Sequence, residues 1–104
     1  MELVGLWHVN DDNVEAIKKQ VTDAGLQVTC VTPDIWASGR WGWGSFAAND
    51  PKVRKAAVQE VKKSMHWARA LDCTVVDLWF GQDGYDYPLQ ADYLSAWNRL
   101  IEGT

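Results

Sequence analysis

Apolar positions along the chain alternate between short continuous runs and helically spaced stripes. The first run, Leu3 to Val9, predicts a strand. Asp12 follows where a side chain caps a helix, with Glu15 three residues on. Val14, Ile17, Val21 and Ala24 then recur at helical spacing, and Gly25 is a natural stop. The segment "LQVTCVT", residues 26 to 32, is rich in β-branched residues and predicts a second strand ended by Pro33. A long loop runs from Asp34 to Asn49 and carries three glycines and three tryptophans. Asp50 caps a second helix with Pro51 at its first position. Val53, Ala57, Val61, Met65, Ala68 and Leu71 form its expected buried stripe. Lys52, Arg54, Lys55, Lys62, Lys63 and Arg69 read as its solvated outer face. "TVVDLWF" predicts a third strand. A last helix is expected from about Gln90 to Glu102, with Leu94, Trp97 and Ile101 facing inward and Gly103 ending it.

The order is β-α-β-α-β-α, and the two later strands are almost continuously apolar, as strands buried on both faces of a parallel sheet are. The fold class is therefore α/β, with no linker or low-complexity segment dividing residues 1 to 104. In such folds the strand C-termini share one face, and ligands bind there. Strand one is followed by His8, Asn10, Asp11 and Asp12. Strand two is followed by Asp34 and Trp36, and strand three by Gln82, Asp83 and Asp86. Asp12 and Asp50 are explained as helix caps; His8, Gln82 and Asp83 are not. An acidic, aromatic rim of this kind suits a polyhydroxylated ligand, with or without a divalent cation.

Composition narrows the classes. Ten basic residues against fourteen acidic ones leave a net charge of −4, which argues against phosphate-driven binding to nucleic acid. No run approaches the roughly 18 apolar residues of a membrane span. "MELVGLWHVNDDN" has no basic region before its apolar run, so it does not read as a signal peptide. Cys30 and Cys73 are far apart and sit in or beside apolar runs, as buried free thiols do. The expectation is a soluble, cytoplasmic, globular protein. Seven tryptophans are the unusual feature. Trp67 and Trp97 lie on expected helices and read as core. Trp7, Trp36, Trp41, Trp43 and Trp79 fall at strand ends and in the loop, where a flat apolar face suits the C–H face of a sugar or another ring. "GRWGWG" lacks the lysine and spacing of a phosphate loop, so Gly39, Gly42 and Gly44 are assigned to loop turns.

Residues 44 to 86, "GSFAANDPKVRKAAVQEVKKSMHWARALDCTVVDLWFGQDGYD", resemble the xylose isomerase-like TIM barrels. That superfamily includes sugar isomerases and epimerases and endonuclease IV. Xylose isomerases carry a Gly-x-Phe-Thr-Ala-Asn-Asp loop, a basic helix, and a strand ending Trp-Gly-Gly-Arg-Glu-Gly. The matching stretches here are Gly44 to Asp50, the helix to Leu71, and Trp79 to Gly84, with Gln82 and Asp83 where the family has Arg and Glu. "VTPDIW" sits where the family has Val-Thr-Thr-Asn-Leu-Phe. "WHVNDDN" is similar to Phe-His-Asp-x-Asp-Leu, with His8 and Asp11 in the matching His-x-x-Asp places.

The resemblance implies a partial (β/α)8 barrel of three parallel β-α units, similar to the second, third and fourth of the family. It implies that His8 helps to open a sugar ring and that Asp11 orients it, a pairing that fixes an imidazole tautomer and raises its basicity. Asp11 as a helix cap is the alternative. Trp79 is implied as an apolar wall of the substrate pocket, with Thr32 and Trp36 nearby. Gln82 and Asp83 either bind sugar hydroxyls or hold the rim together, and glycines 81 and 84 turn the backbone there. The change from Arg-Glu to Gln-Asp points away from xylose. A whole barrel needs roughly 250 residues. The family's metal ligands lie on later strands, and no HxD or ExxH cluster replaces them here. The expectation is thus a fragment of a divalent-metal-dependent (Mg, Mn or Co) sugar isomerase or epimerase, inactive alone and with no cofactor of its own. Self-association is expected to cover the exposed sheet edges. A non-catalytic carbohydrate-binding or oligomerisation module is the alternative. An endonuclease IV-like DNA-repair protein is opposed by the charge balance.

Overall fold

The computed structural model describes residues 2–81, 83, 87 and 89–104. Its elements are β1 (Glu2–Trp7), α1 (Val14–Asp23), β2 (Leu26–Thr32), a 3-10 turn (Gly39–Trp41), α2 (Pro51–Ala70) and α3 (Tyr93–Gly103). The chain divides into two compact units, Met1–Pro33 with Val61–Leu78, and Asp34–Glu60 with Trp79–Thr104.

In the first unit β1 and β2 pair in parallel, from Glu2 opposite Leu26 to Trp7 opposite Thr32. The register shifts between Val4 and Gly5, and the Thr29 hydroxyl donates to the Val4 carbonyl at 3.1 Å. Gly5 packs closely there: a Cβ would lie 3.1 Å from the Cys30 sulfur. Val28 and Val31 of β2 and Val14 of α1 bury against Trp67, Ala68 and Leu71 of the α2 end, with Val9 and Cys73 completing the cluster. Both cysteines are free thiols. Lys18 ties α1 to the α2 terminus, donating to the Ala70 carbonyl at 2.7 Å and pairing with Asp72 at 3.4 Å.

The third strand is reduced to one parallel bridge, Val31 with Val76. Val31 N–H donates to the Val75 carbonyl at 3.1 Å, and Asp77 N–H to the Val31 carbonyl at 3.0 Å. A parallel ladder would next need an N–H from residue 33, which is Pro33 and has none. In the other direction the Val75 N–H is turned onto the Cys73 sulfur at 3.5 Å. The apolar run is present, but both extensions of its ladder are chemically blocked. Three complete β-α units therefore do not form among the described residues. What does form keeps neighbouring parallel partners in chain order, as in a barrel.

Helix starts also differ from the expected ones. Asn13, not Asp12, occupies the N-cap of α1. Asn10 and Asn13 lock the turn instead: Asn10 Oδ1 accepts from the Asp12 and Asn13 amides, and Asn13 Oδ1 accepts from the Asn10 amide. Asp50 does precede α2 as expected and accepts from the Lys52 amide at 2.8 Å. Along α2, Ala57, Val61, Ser64, Ala68 and then Leu71 are buried, whereas Met65 is exposed. Met65 lies roughly 80° from the centre of that stripe at 100° per residue. Trp67, on the opposite flank, is buried instead.

In the second unit Ile35, Trp41, Phe46, Ala48 and Ala57 are buried. Trp41 is thus core rather than a ligand-facing ring; its Nε1 donates to the Asp34 carbonyl at 2.7 Å, and Arg40 stacks on it at 4.1 Å. Helix α3 begins at Tyr93 because Asp92 caps it. The Ser95 hydroxyl and amide both donate to the Asp92 carboxylate and hold its pKa below the usual value. The expected inner face of α3 is reversed, with Leu94, Trp97 and Ile101 all exposed. Arg99 sets the phase: its guanidinium donates to the Ala47 carbonyl at 3.2 Å and to Asn49 Oδ1 at 2.6 Å. Gly103 then meets the Phe46 ring, where a Cβ would come within 2.4 Å. No helix among the described residues is long and apolar enough to cross a membrane.

Candidate functional site

The loop after β2 is held at several points. Asp34 Oδ1 accepts from the Ala37 and Ser38 amides at 2.9 and 3.3 Å, an Asx turn that starts the loop. Asp83 secures its far end: Oδ1 accepts from the Ser45 amide at 2.6 Å and the Ser45 hydroxyl at 3.1 Å, and Oδ2 from the Ala47 amide at 3.0 Å. Arg54 Nη1 takes the Ala48 and Asn49 carbonyls at 2.7 and 3.0 Å. The Asp83 carboxylate thus accepts from the loop's own donors.

Trp36 and Trp79 meet edge to face, ring centroids 4.4 Å apart and planes at 78°. Both rings stay partly in solvent, 37% and 46% exposed. Gly81 turns there with φ +60, and a Cβ on it would touch Trp36 at 3.5 Å. Gln82, like Gly84, Asp86 and Pro88, lies outside the described residues.

His8, Asp11 and Thr32 belong to the first unit. His8 follows β1 in a left-handed conformation, φ +58, which is uncommon for residues with a side chain. The Asn13 side-chain Nδ2 donates to the His8 carbonyl at 2.9 Å, and the imidazole is exposed. Asp11 Oδ1 accepts from the buried Trp67 indole at 2.7 Å, so it joins α2 to the end of β1. Thr32 is buried, and its hydroxyl reaches Asp77 Oδ2 at 3.5 Å. Sequence reasoning missed Ser45, Trp67 and Asp77 as partners of these groups. Asp77 had a signal, being the one carboxylate inside the run "TVVDLWF". Among the described residues no three His, Cys, Asp or Glu side chains gather to hold a metal ion.

Comparison with known proteins matches residues 2–104 to the xylose isomerase-like TIM barrel family model. Xylose isomerase of Thermus thermophilus is 25% identical over 92 residues, 88% of this chain and 24% of that protein. Xylose isomerase of Thermus caldophilus is 24% identical over the same shares. The chain thus spans about a quarter of the length of these relatives. A crystal structure of D-psicose 3-epimerase, determined in the presence of D-fructose, superposes with a TM-score of 0.68 at 17% identity, covering 99% of this chain and 36% of that one. At that identity the likeness is one of fold. With a family model spanning essentially the whole sequence, the chain belongs to the xylose isomerase-like TIM barrel family.

Proposed function

We propose that this chain is part of a divalent-metal-dependent sugar isomerase or epimerase, that it supplies one wall of the substrate site, and that it does not turn sugar over by itself. The observation that carries this is the Trp36–Trp79 pair: two half-exposed rings, one following β2 and one following the Val76 bridge, beside a glycine turn. Such a wall receives the C–H face of a sugar while the polar groups around it take hydroxyls. The names of the relatives, xylose isomerase and D-psicose 3-epimerase, support a sugar substrate. Gln82 and Asp83, in place of Arg and Glu, favour a sugar other than xylose.

The described residues do not gather the ligands of a divalent metal site. In this reading His8 holds or moves the proton at the ring oxygen during opening. Asp11 positions the turn that carries it through the Trp67 indole. The test is incubation of the 104-residue chain with D-xylose, D-glucose or D-fructose and Mg²⁺, Mn²⁺ or Co²⁺, with the indole signals of Trp36 and Trp79 followed by NMR. The expected result is displacement of both indole signals with no aldose–ketose interconversion or epimerisation. Turnover by the chain alone overturns the inactivity. Two indoles that ignore every sugar overturn the wall.

The reading includes self-association. Leu94, Trp97 and Ile101 form an apolar stripe in solvent at i, i+3 and i+7 spacing. The expected native mass is that of a dimer or larger, reduced to a monomer by Trp97→Glu. A wild-type monomer across micromolar concentrations removes this part of the proposal.

A further inference from the structure

The loop presents a second aromatic face that the substrate wall does not use. Trp43 is 75% exposed, yet the turn carrying it is fixed. Trp41 is buried beside it, the Gly42 amide donates to the Gly39 carbonyl at 3.2 Å, and the Gly44 amide donates to the Trp41 carbonyl at 2.9 Å. Gly44 has φ +96, and a Cβ there would lie 2.7 Å from the Asp83 carbonyl oxygen. The backbone on both sides of Trp43 is pinned, so the ring sits on a rigid turn.

Trp43 borders a cavity of about 340 Å³, whose lining includes the apolar Val53 and Ala48 and the polar Arg40, Asn49 and Asp50. Ligand pockets begin at roughly 300 Å³, the small end of their range. Arg40 and Asp50 are oriented but not saturated. Arg40 Nη2 is held by Glu60 Oε2 at 2.9 Å and its guanidinium stacks on Trp41, while Nη1 and Nε make no hydrogen bond among the described residues. Asp50 Oδ1 accepts from the Lys52 amide at 2.8 Å, and Oδ2 makes none among the described residues. The cavity therefore offers a flat apolar face, a fixed donor and a fixed acceptor.

We propose that this cleft is a binding subsite for a neutral polyhydroxylated ring, a monosaccharide or one unit of a longer saccharide, separate from the Trp36–Trp79 wall. Each hydroxyl of such a ring donates and accepts, which matches an arginine and a carboxylate on one rim. Its C–H face matches the indole. An anion is disfavoured, because Asp50 repels it and Glu60 already neutralises Arg40. A metal cation finds a single carboxylate beside a guanidinium and too few ligands. The ligand class follows from this lining and goes beyond the proposed function, which uses other residues.

The experiment is a titration of the ¹⁵N-labelled 104-residue chain with D-fructose and with D-xylose, to roughly 100 mM so that a Kd near 1 mM is saturated. The expected result is a saturable displacement of the Trp43 indole and of the Gly44 and Asp50 amides. Trp43→Ala weakens it by about tenfold or more, and Trp79→Ala leaves it in place. Asp50→Asn keeps a capping side chain at the α2 start and removes the charged acceptor, so it weakens the response without unfolding the helix. Arg40→Met weakens it likewise. A Trp43 signal that never moves overturns the proposal, as does a response lost with Trp79→Ala but kept with Trp43→Ala. A signal that follows protein concentration and ignores sugar assigns the face to self-association and also overturns it. Loss of the Trp36 and Trp79 response alone refutes the substrate wall and leaves this subsite standing.

Discussion

Asp83→Ala lowers stability by about 3 kcal/mol, against the roughly 5–15 kcal/mol available to a domain of this size. The Asp83 carboxylate accepts the amides of Ser45 and Ala47 and the Ser45 hydroxyl. Ser45 is fully buried, so water reaches its amide only after the loop moves. Hydrogen bonds to a charged acceptor contribute about 1.5–3 kcal/mol each, and a buried donor left alone costs about 1–3 kcal/mol. The sum is not reached, because Asp83 is itself only half-buried and water fills part of the vacated space. Asp83→Asn retains one carbonyl oxygen and turns an amide toward a donor, so roughly half the loss is expected. Urea titration checks both: the midpoint falls and the slope stays constant. If Asp83 served only a ligand, Asp83→Ala would leave the midpoint within about 0.5 kcal/mol of the parent. That result would remove the anchoring role derived from the geometry.

The signals legible in the sequence were local ones. The run "LQVTCVT" is β2 from Leu26 to Thr32 because β-branched density and a terminal proline are properties of adjacent residues. The same holds for Asp50 and Pro51 at the start of α2. What failed depends on partners distant along the chain. Asp83 is 38 residues from Ser45 and Asp11 is 56 from Trp67, and no spacing rule reports such a meeting. The third strand failed for a mixed reason: its composition is that of a strand, but the block lies in its partner, where Pro33 lacks the donor that the next rung needs. The face of α3 failed because periodicity identifies a stripe and not its direction. Arg99 holds the Ala47 carbonyl and Asn49, with the apolar stripe turned outward. The family resemblance named Trp36 and Trp79 together, and their rings are in contact, since both follow strand-like segments in the chain. It did not show that Asp11 and Asp83 are bonded to neighbouring protein groups.

Phe46→Ala is expected to cost about 3–5 kcal/mol, the range for removing a buried phenylalanine. Phe46 is 2% exposed, and its ring meets Phe80 edge to face, centroids 5.3 Å apart at 85°. That pairing contributes about 0.5–1.5 kcal/mol beyond area alone. The other side of the ring is closed by Gly103, whose missing Cβ is what admits α3. This gives the prediction a second, sharper arm. Gly103→Ala alone places a methyl 2.4 Å from Phe46 Cδ1 and 3.0 Å from Cε1, so the ring must shift, at about 1–3 kcal/mol for an overpacked core. In the Phe46→Ala background the same methyl enters the vacated space, and the alanine favours the helix. The two substitutions are therefore non-additive: the double variant is expected to be more stable than Phe46→Ala by up to about 1 kcal/mol. Denaturant titration of the four proteins reads the coupling directly. Additive losses would mean that α3 does not seat Gly103 on Phe46. Strong coupling would establish the contact, and with it a reason for aromatic and polar anchors to share three consecutive residues. Ser45 and Ala47 hold the loop backbone to Asp83, while Phe46 between them holds it to α3 and Phe80. Losing the ring loosens the geometry that lets the Asp83 carboxylate reach both amides. Combining Phe46→Ala with Asp83→Ala should then cost less than the two losses added.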